Sequence, residues 1–201
     1  MWSPPALLPE REHPRALNGS LLFDQPAHAG DRDRLLAFVA GDGPVAVEIG
    51  FDHGMRILDH ARRWPDVRWL GVEIRKRRVA AAAPHAPPNC LLFRGDARTV
   101  LARLVPAGRL ARVDVLFPTP ATNPRHLLIT PGFVADLARA LAPDGVVHVA
   151  TDVEGLFAWA SRCFAGWPTG EPPATGPVLS RRERVCKRDG LPVWRATWRR
   201  P

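Results

Sequence analysis

The chain has 201 residues, which suits one α/β domain, and its 46% hydrophobic content supplies a core. No apolar run approaches the ~18–20 residues of a membrane span, and residues 1–14, Pro-rich and carrying Glu10, Arg11 and Glu12, do not read as a secretory signal. The net charge of +8 favours phosphate-bearing partners, although it rests almost wholly on arginine, with Lys76 and Lys187 the only lysines.

The three cysteines, Cys90, Cys163 and Cys186, are widely spaced, and no CxxC pair occurs. That count and spacing argue against a disulfide scaffold or a metal site and for a reduced, cytoplasmic setting, with the thiols packed as small hydrophobes.

Residues 1–43 are expected to form a poorly structured lead-in with one helix over 31–40, ended by Gly41-Asp42-Gly43-Pro44. Residues 44–201 form the second expected unit. Within it, strands are predicted over 45–49, 69–74, 90–94, 113–117 and 145–151, and helices over 55–63, 75–83, 98–105, 131–141 and 154–164. Alternation at this spacing gives a mostly parallel sheet with helices on both faces. After a Pro/Gly-rich loop over 167–177, two further strands over 178–185 and 193–198, turning at 187–190, are expected as an antiparallel hairpin. They bring the sheet to seven strands.

In such sheets ligands bind beyond the carboxyl ends of the strands. The first strand runs into Glu48-Ile49-Gly50-Phe51-Asp52-His53-Gly54, whose glycines permit a tight turn and a close ligand approach. Asp52 stands where a dinucleotide-binding turn requires a middle glycine. The second strand ends in Gly71-Val72-Glu73 and the third in Gly95-Asp96-Ala97. Three acids at three successive strand ends suit S-adenosylmethionine (SAM): Glu48 near its methionine end, Glu73 on the ribose and Asp96 on the adenine. SAM has no phosphate, so an acidic ring is tolerable where a pyrophosphate would be repelled.

Val47-Glu48-Ile49-Gly50-Phe51, Gly71-Val72-Glu73-Ile74-Arg75, Gly95-Asp96-Ala97, Leu116-Phe117-Pro118, Arg125-His126, Thr151-Asp152 and Val193-Trp194 occur in an order that resembles the bacterial tRNA (guanine-N7)-methyltransferases. The resemblance spans roughly residues 45–198. It implies the Rossmann-like fold of class I methyltransferases, SAM as cofactor, and tRNA as partner, methylated on a guanine. On its pattern Glu48, Gly50, Gly54, Glu73, Asp96, Ala97 and Thr119 fall at cofactor positions. Thr119 and Asp152 fall at catalytic positions, and Asn123, Arg125, His126, Asp152, Ser180 and Glu183 at substrate positions. Arg125 and His126 read equally as phosphate contacts or solvated loop residues.

The chain departs from the family pattern Phe-Pro-Asp-Pro-Trp-Pro-Lys-Lys-Arg-His, having Phe117-Pro118-Thr119-Pro120-Ala121-Thr122-Asn123-Pro124-Arg125-His126. Thr119 replaces an acid and Asn123 a lysine, and the basic stretch after the histidine is shortened. Two alternatives therefore stand beside the tRNA enzyme: an N-methyltransferase of the same ancestry acting on a small heterocyclic base, and a non-catalytic RNA-binding homologue. A monomer or homodimer is expected in each case.

Overall fold

The computed structural model describes residues 1–6 and 29–201; most of the expected lead-in lies outside the described residues. The elements are α1 (Ala29–Ala40), β1 (Val45–Ile49), α2 (Met55–Arg63), β2 (Arg68–Glu73), α3 (Lys76–Ala82), β3 (Cys90–Arg94), α4 (Ala97–Leu104), β4 (Leu110–Leu116), α5 (Pro131–Ala140), β5 (Leu141–Thr151), α6 (Glu154–Cys163), α7 (Arg181–Asp189) and β6 (Trp194–Arg199).

The sheet order is β3-β2-β1-β4-β5-β6, parallel throughout except for β6, which runs antiparallel to β5. The α/β class and an antiparallel C-terminal strand are as expected, but that strand pairs with β5, and the sheet has six strands and not seven. The segment 178–185 is the difference, for the chain is helical from Arg181. Ser180 caps that helix by accepting from the Glu183 amide at 3.2 Å, and Gly190 closes it with φ 63°. Ser-x-x-Glu before the helix and Gly after it are start and stop signals that outweigh the scattered valines of this segment.

β1 is buried along its whole length, as befits a central parallel strand covered on both faces. Val45, Val47 and Ile49 belong to the larger core, built with Leu35 and Val39 of α1, Val100 and Leu101 of α4, and Phe133 and Leu137 of α5. Ala46 faces the other way, into a smaller core with Ile57, Leu58 and Ala61 of α2 and with Trp69 and Leu92.

On that second face a polar row crosses the sheet in register: Glu48 on β1 opposite Asp114 on β4, Asp114 opposite His148 on β5, and His148 opposite Thr197 on β6. All four are buried. Burial of such groups is tolerable only with partners, and each has one. Arg56 of α2 donates to Glu48 at 2.8 Å and to Asp114 at 2.9 Å, and His148 Nδ1 lies 2.9 Å from Thr197 Oγ1. The connection from α6 to α7 straps this face down. Gly170 N donates to the Thr197 carbonyl, Arg112 to the Ala174 carbonyl, and Gly176 N to His60 Nε2.

A third, small apolar cluster lies beside the loop after β4. There Trp2 packs with Ala121, Leu127, Leu156, Val153 and Trp159, and its indole Nε1–H donates to the Ala121 carbonyl at 3.1 Å.

Candidate cofactor and substrate cleft

The strand order reverses between β1 and β4, and an open cleft of about 1120 Å³ lies there beyond the strand ends. Its walls come from the loop after β1, the tips of β2 and β3, the loop after β4, the end of β5 and the start of α7.

The glycine loop is held by left-handed backbone. Gly50 has φ 72°, Asp52 φ 54° and Gly54 φ 77°. A Cβ built on Gly50 would meet nothing within 4 Å, so the backbone there opens directly onto space. Across the cleft, Phe117 also holds φ 50°, an uncommon conformation for a bulky side chain. It turns the chain sharply out of β4 and carries Thr119 to an exposed position at the cleft wall.

Of the residues singled out from the sequence, Glu48, Gly50, Glu73, Asp96, Ala97, Thr119, Asn123, His126, Asp152 and Ser180 all line this one cleft. Three do not. Gly54 starts α2, where an added Cβ would meet that of Ala82 at 3.0 Å. Arg125 is exposed, and its carbonyl accepts from Arg98 at 2.7 Å. Glu183 is turned to Arg195, whose Nη2 lies 2.5 Å from its Oε1.

The acids are not bare. Glu73 is 5% exposed; its Oε1 accepts from the Arg75 amide at 2.9 Å, while its Oε2 lies 3.7 Å from Arg78. Arg78 forms a closer ion pair with Asp52, at 2.6 Å. Asp96 caps α4 through the Arg98 amide, and the Arg98 guanidinium reaches back to both its carboxylate oxygens. Val153 holds the N-cap place of α6, and the Asp152 carboxylate accepts from Arg182 Nε at 2.9 Å and from Nη2 of the same side chain.

Glu48 lies deepest. Burial pushes its carboxyl above the ordinary range, and the nearby Asp114 adds to this, against the pull of Arg56. Asp114 is equally buried, but Arg56 and Arg112 together more than offset the burial and hold it below its usual value.

Sequence reasoning missed these cationic partners, although two signals pointed to them. Asp114 sits between Val113 and Val115 in a buried strand, where an acid demands a cation. Arg56 and His60, four apart, lie on the buried side of α2 with Ile57 and Ala61.

Glycine loop, acidic strand tips and switch-point cleft define a doubly wound α/β protein built to hold a nucleoside-like ligand. Comparison with known proteins narrows the class. A family described as "Putative methyltransferase" matches residues 42–172, and the chain belongs to it. The tRNA (guanine-N(7)-)-methyltransferase of Anaeromyxobacter dehalogenans is 35% identical over 173 residues, covering 79% of this chain and 86% of that protein. The enzyme of the same name from Aeromonas hydrophila is 34% identical over 127 residues, covering 60% of this chain and 54% of that protein. The chain thus spans little more than half the length of some relatives that it matches. Among solved structures, the 16S rRNA methyltransferase KamB superposes with a TM-score of 0.59 at 18% identity, covering 85% of this chain and 92% of that one, a likeness of fold.

Proposed function

We propose that this chain is a SAM-dependent N-methyltransferase that methylates N7 of a guanine in tRNA, in the cytoplasm. The observation that carries the reading is the convergence of Glu48, Glu73, Asp96 and Asp152 on one switch-point cleft in a member of this family. The names of the tRNA-modifying relatives supply the substrate class. Residues 44–201 form the methyltransferase domain in this reading, and α1 of the lead-in docks onto it through Leu35 and Val39.

The cleft fits the cofactor. Glu73 lines the cleft, and its Oε2, 3.7 Å from Arg78, suits a ribose hydroxyl. The open space over Gly50 leaves its backbone accessible to close approach by the cofactor. Asp96 and Ala97, at the tip of β3 on the cleft wall, are assigned to the adenine in this reading.

Bound SAM supplies an electrophilic methyl group on a sulfonium. Guanine N7 carries a free lone pair, so the protein need remove no proton before attack, and its task is alignment and electrostatics. Asp152 and Ser180 both line the cleft, and in this reading the Asp152 carboxylate accepts from the base's Watson–Crick edge and fixes the ring. Thr119 stands at the cleft wall as an uncharged hydrogen-bonding group. Arg75, Arg181 and Arg184 are exposed around the cleft mouth, where they suit phosphates of the flanking strand.

That basic rim favours nucleic acid over a small free heterocycle. The test is transfer of labelled methyl from SAM to tRNA lacking 7-methylguanosine, run beside a panel of small heterocyclic bases. Labelling of tRNA alone is the expected result. Labelling of neither would overturn the reading, and labelling only of a small base would replace the substrate.

A further inference from the structure

Asp152 carries a ligand of its own chain. Two donors on one edge of the Arg182 guanidinium, Nε and Nη2, both aim at Asp152 Oδ2. The two residues lie 30 positions apart. Arg182 arrives on the second residue of α7, and Asp152 sits just past β5. Both line the cleft, with the Arg182 side chain 49% exposed and that of Asp152 13% exposed.

A guanine base contains a guanidine unit. Its Watson–Crick edge presents N1–H and N2–H side by side, as an arginine presents its Nε–H and Nη–H. A carboxylate that accepts one accepts the other, and it cannot fully satisfy both at once.

We propose that Arg182 is an internal stand-in for the substrate's guanine, holding the Asp152 carboxylate oriented until a base displaces it. This rests on the reading that Asp152 receives the base. An exposed ion pair is weak and screened by solvent, so the contact is displaceable rather than a permanent brace. A weak occupant also sets a threshold: a base that offers fewer than two parallel donors to Asp152 gains too little to evict it. Adenine and the pyrimidines lack such an edge, and so Arg182 sharpens selection for guanine. Once released, Arg182 rejoins the cations of α7, which also carries Arg181, Arg184, Lys187 and Arg188. There it can contact a phosphate of the flanking strand.

The arrangement separates base binding from strand binding. Guanosine, which has no phosphate, must displace Arg182 and gains nothing from it afterwards. A tRNA displaces it and then uses it.

The test measures binding of guanosine, adenosine and unmodified tRNA to wild type, Arg182→Ala and Asp152→Asn, each saturated with S-adenosylhomocysteine to prevent turnover. Arg182→Ala is expected to bind guanosine about three- to fivefold more tightly than wild type. Its tRNA affinity does not rise, and the slope of log affinity against log salt for tRNA falls by about one. Asp152→Asn is expected to lose about tenfold or more in guanosine affinity. Unchanged or weakened guanosine binding by Arg182→Ala overturns the proposal, as does an equal gain for adenosine. Failure of the underlying reading shows separately. Wild type then transfers no methyl group to tRNA, or Asp152→Asn binds guanosine as wild type does.

Discussion

Glu48 on β1 and Asp114 on β4 stand opposite each other across the parallel ladder and share one guanidinium, that of Arg56, at 2.8 and 2.9 Å. Two carboxylates side by side in a dry core repel and resist ionisation together. Arg56 makes the pair tolerable, and Arg112 adds a second cation on Asp114 at 2.9 Å. The bridge ties α2 to β1 and β4, and Glu48 and Arg56 both line the cleft.

Replacing Arg56 by Ala should therefore cost about 3–5 kcal/mol of stability, because it strands Glu48 without a partner in the core. The double variant Arg56→Met with Glu48→Gln should recover much of that loss, since it removes the buried charge together with its partner. Urea unfolding of the three proteins measures both effects. Equal stability of wild type and Arg56→Ala would remove the bridge from the account of the fold.

His60 gives the fold a pH dependence of definite sign. Burial, with Arg56 and Arg112 nearby, pushes its imidazole down from 6.5 to about 3, and its Nε2 accepts from Gly176 N. The folded state thus holds His60 neutral while the unfolded chain protonates it near pH 6.5. Stability is fully present above that pH and falls as the pH drops toward 3, by up to about 1.4 kcal/mol per pH unit. Subtracting the urea-unfolding curve of His60→Gln from that of wild type at pH 7, 5 and 4 isolates this contribution. A difference that stays constant across those pH values would contradict it.

Glu73 is the cofactor prediction. Glu73→Gln keeps an acceptor for the Arg75 amide but removes the charge offered to a ribose hydroxyl. Loss of a charge-assisted bond is worth ~1.5–3 kcal/mol, so S-adenosylhomocysteine should bind about ten- to a hundredfold more weakly by calorimetry. Undiminished binding would mean that the β2 carboxylate does not touch the ribose.

Thr119 marks the departure from the family pattern, where an acid stands. It is exposed at the cleft wall beyond the left-handed turn at Phe117, so a carboxylate there would meet no steric conflict. Thr119→Asp should raise kcat/KM for tRNA methylation by about one to two decades. A fall in kcat/KM would indicate that the chain has re-tuned this wall around an uncharged group.

Most of the layout was legible in the sequence. The strands Val45–Ile49 and Cys90–Arg94 and the helix Met55–Arg63 lie where periodicity puts them. Each is a compact apolar run or stripe between Gly, Pro or Asn signals, and local chemistry decides such segments. The acidic strand tips followed too, because a parallel sheet delivers its strand ends to one edge. The segment 178–185, expected as strand, turns helical at Arg181, since the one buried residue of α7 is Cys186 and no apolar face announces the helix. Its cap residues were the better guide.

Sequence alone therefore determined the alternating strands and helices from β1 to α6 and that Glu48, Glu73 and Asp96 share a cleft, because hydrophobic period and strand polarity are local properties of the chain. Only the tertiary structure decided what each carboxylate faces. An arginine side chain is long enough to bridge elements far apart in sequence: Arg56 reaches Asp114 across 58 residues and Arg182 reaches Asp152 across 30. Packing, not spacing along the chain, chose those partners.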